Sequence, residues 1–100
     1  MLDGLSNLEV LSLRSNKIKE LEYGVFDDKS NMTHLYLQNN KLTTLPDGLF
    51  GALSKLKLLN LSSNELTTVT KDTFQGLKSL EYLYLDGNKL SKVPSDTLVS

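Results

Sequence analysis

The chain of 100 residues is predicted to be α/β. The expected fold is a right-handed solenoid with short parallel strands on a concave face and loops and 3₁₀ turns on a convex face. Three observations carry this expectation. A skeleton of leucine, two free positions, leucine, one free position, leucine, two free positions and asparagine occurs four times, at residues 8–16, 32–40, 56–64 and 80–88, with Met32 in the first place of the second copy. The asparagines fall 24 residues apart, at Asn16, Asn40, Asn64 and Asn88, and a fixed period of this size is the signature of stacked repeats. Around the leucines the pattern alternates, as in a short strand with one face buried.

Counting each repeat from residues 8, 32, 56 and 80 divides the chain into a partial repeat at 1–7, full repeats at 8–31, 32–55 and 56–79, and a truncated one at 80–100. Both ends fall inside a repeat, so the chain is expected to be a piece of a longer protein without capping domains. In a solenoid each unit contacts only its neighbours. Uncapped end coils carry leucines and unpaired strand edges, so some self-association is expected.

Positions four and six are leucine throughout: Leu11 and Leu13, Leu35 and Leu37, Leu59 and Leu61, Leu83 and Leu85. Strands that recur in one direction every 24 residues pair in parallel, so the intervening chain must cross over. Further apolar columns follow at position eleven (Ile18, Leu42, Leu66, Leu90), fourteen (Leu21, Leu45, Val69, Val93) and nineteen (Phe26, Phe50, Phe74, Leu98). No single repeat buries these residues, but stacking them inside the coil does.

Position nine, the asparagine, lies where the strand ends and backbone groups inside the coil lose their ladder partners. An unpaired buried N–H or C=O costs about 1–3 kcal/mol. An amide side chain carries both donors and an acceptor, so the column is expected to bridge adjacent coils. Pro46 and Pro94, with Gly24 and Gly48 nearby, mark the return segments as loops with no room for a long helix. Lys29 stands where Leu5, Leu53 and Leu77 stand in other repeats. It is expected to snorkel to solvent and to leave 27–31 the loosest outer segment.

Net charge is −1 and the pI is near 5.7, so there is no basic footprint. On that ground nucleic acid and anionic membrane surfaces are set aside as partners, and membrane attachment is expected only through parts outside this chain. No apolar run approaches a transmembrane length, and the first residues lack the basic start and apolar core of a signal peptide. Cysteine is absent, which alone favours neither a reducing nor an oxidising compartment.

The segment 42–53, Leu-Thr-Thr-Leu-Pro-Asp-Gly-Leu-Phe-Gly-Ala-Leu, resembles leucine-rich repeats of the typical 24-residue class, and the resemblance extends over the whole chain. The residues Gly24-Val25-Phe26-Asp27 are similar to repeats of variable lymphocyte receptors, Toll-like receptors, Slit-type proteins and neuronal adhesion receptors. The resemblance implies an extracellular or cell-surface ectodomain with a protein-binding role, immune or adhesive. It also implies cysteine-rich caps in the parent protein, with inner repeats free of cysteine as here.

Catalytic patterns are missing from the sequence. There is no glycine-rich phosphate loop, paired-histidine metal motif or nucleophile elbow. The single histidine, His34, occupies an outward strand position, and Asp86 lies two strands away, roughly 10 Å. No enzyme activity, cofactor or metal is expected. The Asp-Gly pairs at 3, 47 and 86 read as turns. Two glycosylation sequons occur, at Asn31 and Asn60.

Function is expected on the outward strand positions. Position three reads Val10, His34, Leu58, Tyr82; position five reads Ser12, Tyr36, Asn60, Tyr84; position seven reads Arg14, Gln38, Ser62, Asp86. The inward columns hardly vary while these rows change in every repeat, because packing fixes one set and leaves the other free. Three of the four tyrosines fall here, and tyrosine is enriched in binding surfaces. The expected function is therefore non-covalent recognition of a protein or glycan on the concave face. The alternatives are spacer repeats of an adhesion or matrix protein, or a regulatory ectodomain linked to an enzyme.

Overall fold

The computed structural model describes residues 7–90. It contains four three-residue strands, β1 (Val10–Ser12), β2 (His34–Tyr36), β3 (Leu58–Asn60) and β4 (Tyr82–Tyr84). They form one parallel sheet in sequence order. Each strand pairs with the one 24 residues on, Leu11 opposite Leu35, Leu35 opposite Leu59 and Leu59 opposite Leu83. Residues 1–6 of the partial repeat at 1–7, and Val93, Pro94 and Leu98 with the rest of 91–100, lie outside the described residues.

Parallel strands need a crossover, and here each return is built from isolated turns closed by i→i+3 bonds of the 3₁₀ kind. Val25 N–H donates to Glu22 O, Asp27 to Gly24 and Lys29 to Phe26; the version in the repeat at 32–55 is Leu49 to Pro46, Gly51 to Gly48 and Leu53 to Phe50. The turns do not fuse into a helix among the described residues, because glycines in the left-handed region interrupt them (Gly24 φ 90°, Gly48 φ 75°, Gly76 φ 94°). Gly76 is the tightest of these: a Cβ there would stand 2.7 Å from Gly51 Cα and O. Adjacent coils touch backbone to backbone at this point, and only glycine permits it.

Inside the coil the inward columns close the core. Leu35, Leu37, Leu59 and Leu61 are fully buried, and Phe26, Phe50 and Phe74 stack with centroids 6.0 and 6.2 Å apart and nearly parallel rings. Burial falls off at both ends of the described stack. Leu11, Leu13, Leu83 and Leu85, in and beside the first and last strands, are only partly buried.

The asparagines connect these coils through their side chains. Asn40 Oδ1 accepts the N–H groups of Asn16 and Ile18 one coil back, at 2.9 and 3.0 Å, while its Nδ2 donates to Leu13 O and Leu37 O, both at 3.0 Å. Asn64 accepts from Leu42 N–H and donates to Leu37 O and Leu61 O. Asn88 accepts from Leu66 N–H and donates to Leu61 O and Leu85 O. Each amide thus pairs strand-end carbonyls and loop N–H groups that the sheet leaves free.

To present the asparagine inward, the residue before it adopts a left-handed conformation in every repeat: Ser15 at φ 59°, Asn39 at 60°, Ser63 at 56° and Gly87 at 72°. That requirement was invisible in the sequence at the serines. Only Asn39 and Gly87 belong to the residue types that visit the region readily.

Lys29 departs from expectation. Its side chain is fully buried rather than snorkelled, and Nζ donates to the carboxylate of Asp28, which is half exposed. The backbone around it keeps the same turns as other repeats, including Met32 N–H to Lys29 O. A neighbouring carboxylate that reaches the coil edge gives the ammonium a partner without its having to leave the leucine column. The same bond, against a smaller opposing effect of desolvation, holds the Asp28 carboxyl below the ordinary value of 3.8.

A buried charge held by one exposed partner contributes less than a well-packed hydrophobe. Lys29→Leu is therefore expected to raise stability by about 1–3 kcal/mol, the scale of a buried leucine, as read from urea melts. A folded-state carboxyl pKa below its unfolded value stabilises above the unfolded value and loses that contribution as pH falls through the folded one. Asp28→Asn should accordingly flatten the acid limb of the stability profile below about pH 4. A lower midpoint for Lys29→Leu would show that the ion pair outweighs leucine packing.

Candidate functional site

The strands place positions three and five on the outer face of the sheet, in register. Val10, His34, Leu58 and Tyr82 align across the four strands, as do Ser12, Tyr36, Asn60 and Tyr84. The reason is the period of two: with Leu11, Leu35, Leu59 and Leu83 committed to the core, their neighbours must point the other way. None of these outward residues is buried, and Val10, Tyr82 and Tyr84 are the large apolar groups most open on this face, at 55%, 55% and 41%. Arg14, Gln38, Ser62 and Asp86 continue the rows one step past the strands.

Several side chains on this face are held in place. The rings of His34 and Tyr36 stack, with centroids 6.5 Å apart. Thr33 Oγ1 lies 3.1 Å from Glu9 O and 2.9 Å from His34 Nδ1. Both contacts are satisfied when the hydroxyl donates to the carbonyl and accepts from Nδ1–H, which leaves Nε2 of the neutral ring as an acceptor. Asn60 Oδ1 accepts Ser62 N–H at 3.0 Å, so this side chain caps its own strand end and keeps its Nδ2 for other partners. Ser62 Oγ donates to Asp86 Oδ1 across the coils, fixing the carboxylate's orientation. Gln38 Oε1 is enclosed and has no hydrogen-bond partner, an unmet acceptor in the middle of the row.

Thr33 and the Ser62–Asp86 contact were not singled out in the sequence. Spacing at 24 could have suggested the latter, since Ser62 and Asp86 share position seven. Thr33 carries no comparable signal. No group of three or more His, Asp and Glu side chains gathers as a metal site among the described residues. Asn31 is partly exposed, and Lys55 Nζ donates to its Oδ1 at 3.3 Å.

A parallel sheet of three-residue strands, turn-built returns and an asparagine column define a solenoid repeat module. The chain belongs to the leucine-rich repeat family: the Leucine rich repeat profile matches residues 1–42 and 30–90. No curated protein matches the chain at a meaningful level. Among solved structures 149 chains match, and one of them is described as the crystal structure of a TLR13-ssRNA13 complex. This chain is similar to it with 30% identity and a TM-score of 0.83, over 89% of its own length and 13% of that chain. The chain therefore spans about one-eighth of the neighbour it resembles. Family and neighbour together show a leucine-rich repeat module that is similar to a short part of a much longer chain.

One expectation about partners is overturned by this neighbour. Nucleic acid was excluded on net charge, yet a chain of the same fold and 30% identity occurs in a complex with single-stranded RNA. Net charge sums over the whole molecule, whereas binding responds to local surface. Stacking of bases on aromatic rings also requires no net charge, and His34, Tyr36, Tyr82 and Tyr84 supply such rings on one face.

Proposed function

We propose that this module recognises a protein, or a glycan, through the outward rows of its sheet, within the ectodomain of an extracellular or cell-surface receptor, immune or adhesive. The role is non-enzymatic, and any membrane attachment belongs to segments outside the chain. One observation carries the reading: on the same strands, the inward residues repeat while the outward residues change from each coil to the next. Rigid columns behind variable rows form a preorganised surface, which limits the ordering cost of binding. In this proposal the contacts come from Val10, Ser12, Arg14, His34, Tyr36, Gln38, Leu58, Asn60, Ser62, Tyr82, Tyr84 and Asp86, with the repeats at 8–31, 32–55 and 56–79 as the structural units.

A second reading is favoured by the neighbour found with RNA: a single strand laid over the four aromatic rings. The two readings separate by salt. Phosphate contacts make nucleic-acid affinity fall steeply with ionic strength.

The double substitution Tyr36→Ala and Tyr84→Ala tests the face itself. It is expected to weaken binding of a partner captured by the wild-type chain at least about tenfold, the scale of one interfacial hot spot. The thermal midpoint should fall only slightly, because Tyr84 is exposed and Tyr36, half-buried against His34, lies outside the core. Equal loss of binding and stability would make the tyrosines structural. A labelled single-stranded RNA oligonucleotide bound by wild type and lost with the double variant would favour the second reading.

An extracellular setting also makes the sequons at Asn31 and Asn60 glycan acceptors. Asn31 is the better placed, since a glycan on Asn60 would cover the centre of the binding face. Enzymatic deglycosylation of protein secreted from a eukaryotic host should reduce its mass by one glycan, removed by Asn31→Gln. No mass change would dispose of the modification, and loss of the shift with Asn60→Gln alone would move the binding surface elsewhere.

A further inference from the structure

The position-seven row ends in opposite charges. It begins with Arg14 and closes with Asp86, with the neutral Gln38 and Ser62 between them. The residues three places further along each coil extend the asymmetry. Lys17 adds a second positive charge beside Arg14 and Lys41 a single one in the next coil. In the last two coils Glu65 and Lys89 pair with each other at 3.7 Å, so together they add no net charge at the Asp86 end. The charges on the other side of the sheet, Glu9, Lys57 and Glu81, sit five residues up the chain from row seven, roughly 16 Å away at strand rise. They do not interrupt the gradient.

Asp86 is also prepared for a cation. Ser62 orients one of its carboxylate oxygens, no ion pair to it is formed among the described residues, and the exposed rings of Tyr82 and Tyr84 lie on the same strand face. Aromatic faces beside a carboxylate suit a guanidinium, which gains cation–π contact as well as a charge-assisted hydrogen bond. Arg14 at the other end has no ion-pair partner among the described residues either.

We propose that this row imposes direction on the ligand. The occupant is an extended protein segment lying along the solenoid axis, with an acidic side chain facing Arg14 and an arginine or lysine facing Asp86, Tyr82 and Tyr84. Three strand spacings separate the two ends, roughly 14 Å, which an extended peptide covers in about four residues. The acid and base of the ligand are therefore four or five residues apart. Gln38, midway along the row, presents a half-buried amide side chain beneath such a segment. Among the described residues of these rows, a polyphosphate strand finds unpaired cations only in the first two coils, at Arg14, Lys17 and Lys41. This inference rests on the proposed use of the outward rows and fixes the chemistry of the ligand that they take.

Selection of a random linear peptide library displayed on phage against the intact chain tests it. The expected consensus pairs an acidic with a basic residue four or five positions apart in one preferred order. The charge-swapped variant, Arg14→Glu with Asp86→Arg, should select the reverse order while melting as wild type does. Peptides enriched without an acid–base pair, or a consensus unchanged by the swap, would overturn the proposal. Enrichment that survives Tyr36→Ala with Tyr84→Ala, or no enrichment above background, would instead overturn the use of this face for protein ligands. Enrichment lost with the tyrosine variant but indifferent to the swap would leave the face in use and remove its polarity.

Discussion

The fold depends on satisfying backbone groups where each short strand stops. Three residues of ladder per coil leave most of a coil's inward N–H and C=O groups without sheet partners, and burying them unpaired would cost about 1–3 kcal/mol apiece. The side chains of Asn40, Asn64 and Asn88 answer this by reaching back one coil and donating to carbonyls of both coils at once. Two conditions follow. The preceding residue must turn left-handed, and coils must approach closely enough for one amide to span them. The Gly51–Gly76 contact on the return side is consistent with the second.

Once those columns are fixed, the outward residues are released from packing. Leu35 and Leu59 cannot vary without opening the core, whereas His34, Tyr36, Leu58 and Asn60 are held at set positions with little constraint on identity. In the proposed function this division links architecture to recognition. A stiff sheet displays three rows of interchangeable side chains, and local contacts such as Ser62 with Asp86 then orient individual groups without disturbing the coil.

Most of this was legible in the sequence because the repeat presents each structural position four times. The strands at Val10–Ser12, His34–Tyr36, Leu58–Asn60 and Tyr82–Tyr84, the core columns and the outward rows all follow from periodicity. Single departures were harder to read. Lys29 looked like a residue that must escape the core, because its partner is a sequence neighbour, Asp28, whose direction depends on the turn. Ser15 and Ser63 gave no sign of left-handed backbone, since tertiary demand from the asparagine overrides their local preference. Total charge was a poor guide to partners because Arg14 and Asp86 cancel in the sum while standing at opposite ends of one row.

Native-state hydrogen exchange measures the asparagine linkage most directly. The amides of Ile18, Leu42 and Leu66 lie in loops, yet they donate to asparagine Oδ1 atoms at 3.0, 3.2 and 3.0 Å. Each is expected to exchange only on global unfolding, as slowly as the strand-end amides of Leu37 and Leu61, which donate to carbonyls at 2.8 and 2.9 Å. Exchange of these three at the rate of exposed loop amides would contradict the asparagine column as the connection that holds the coils together.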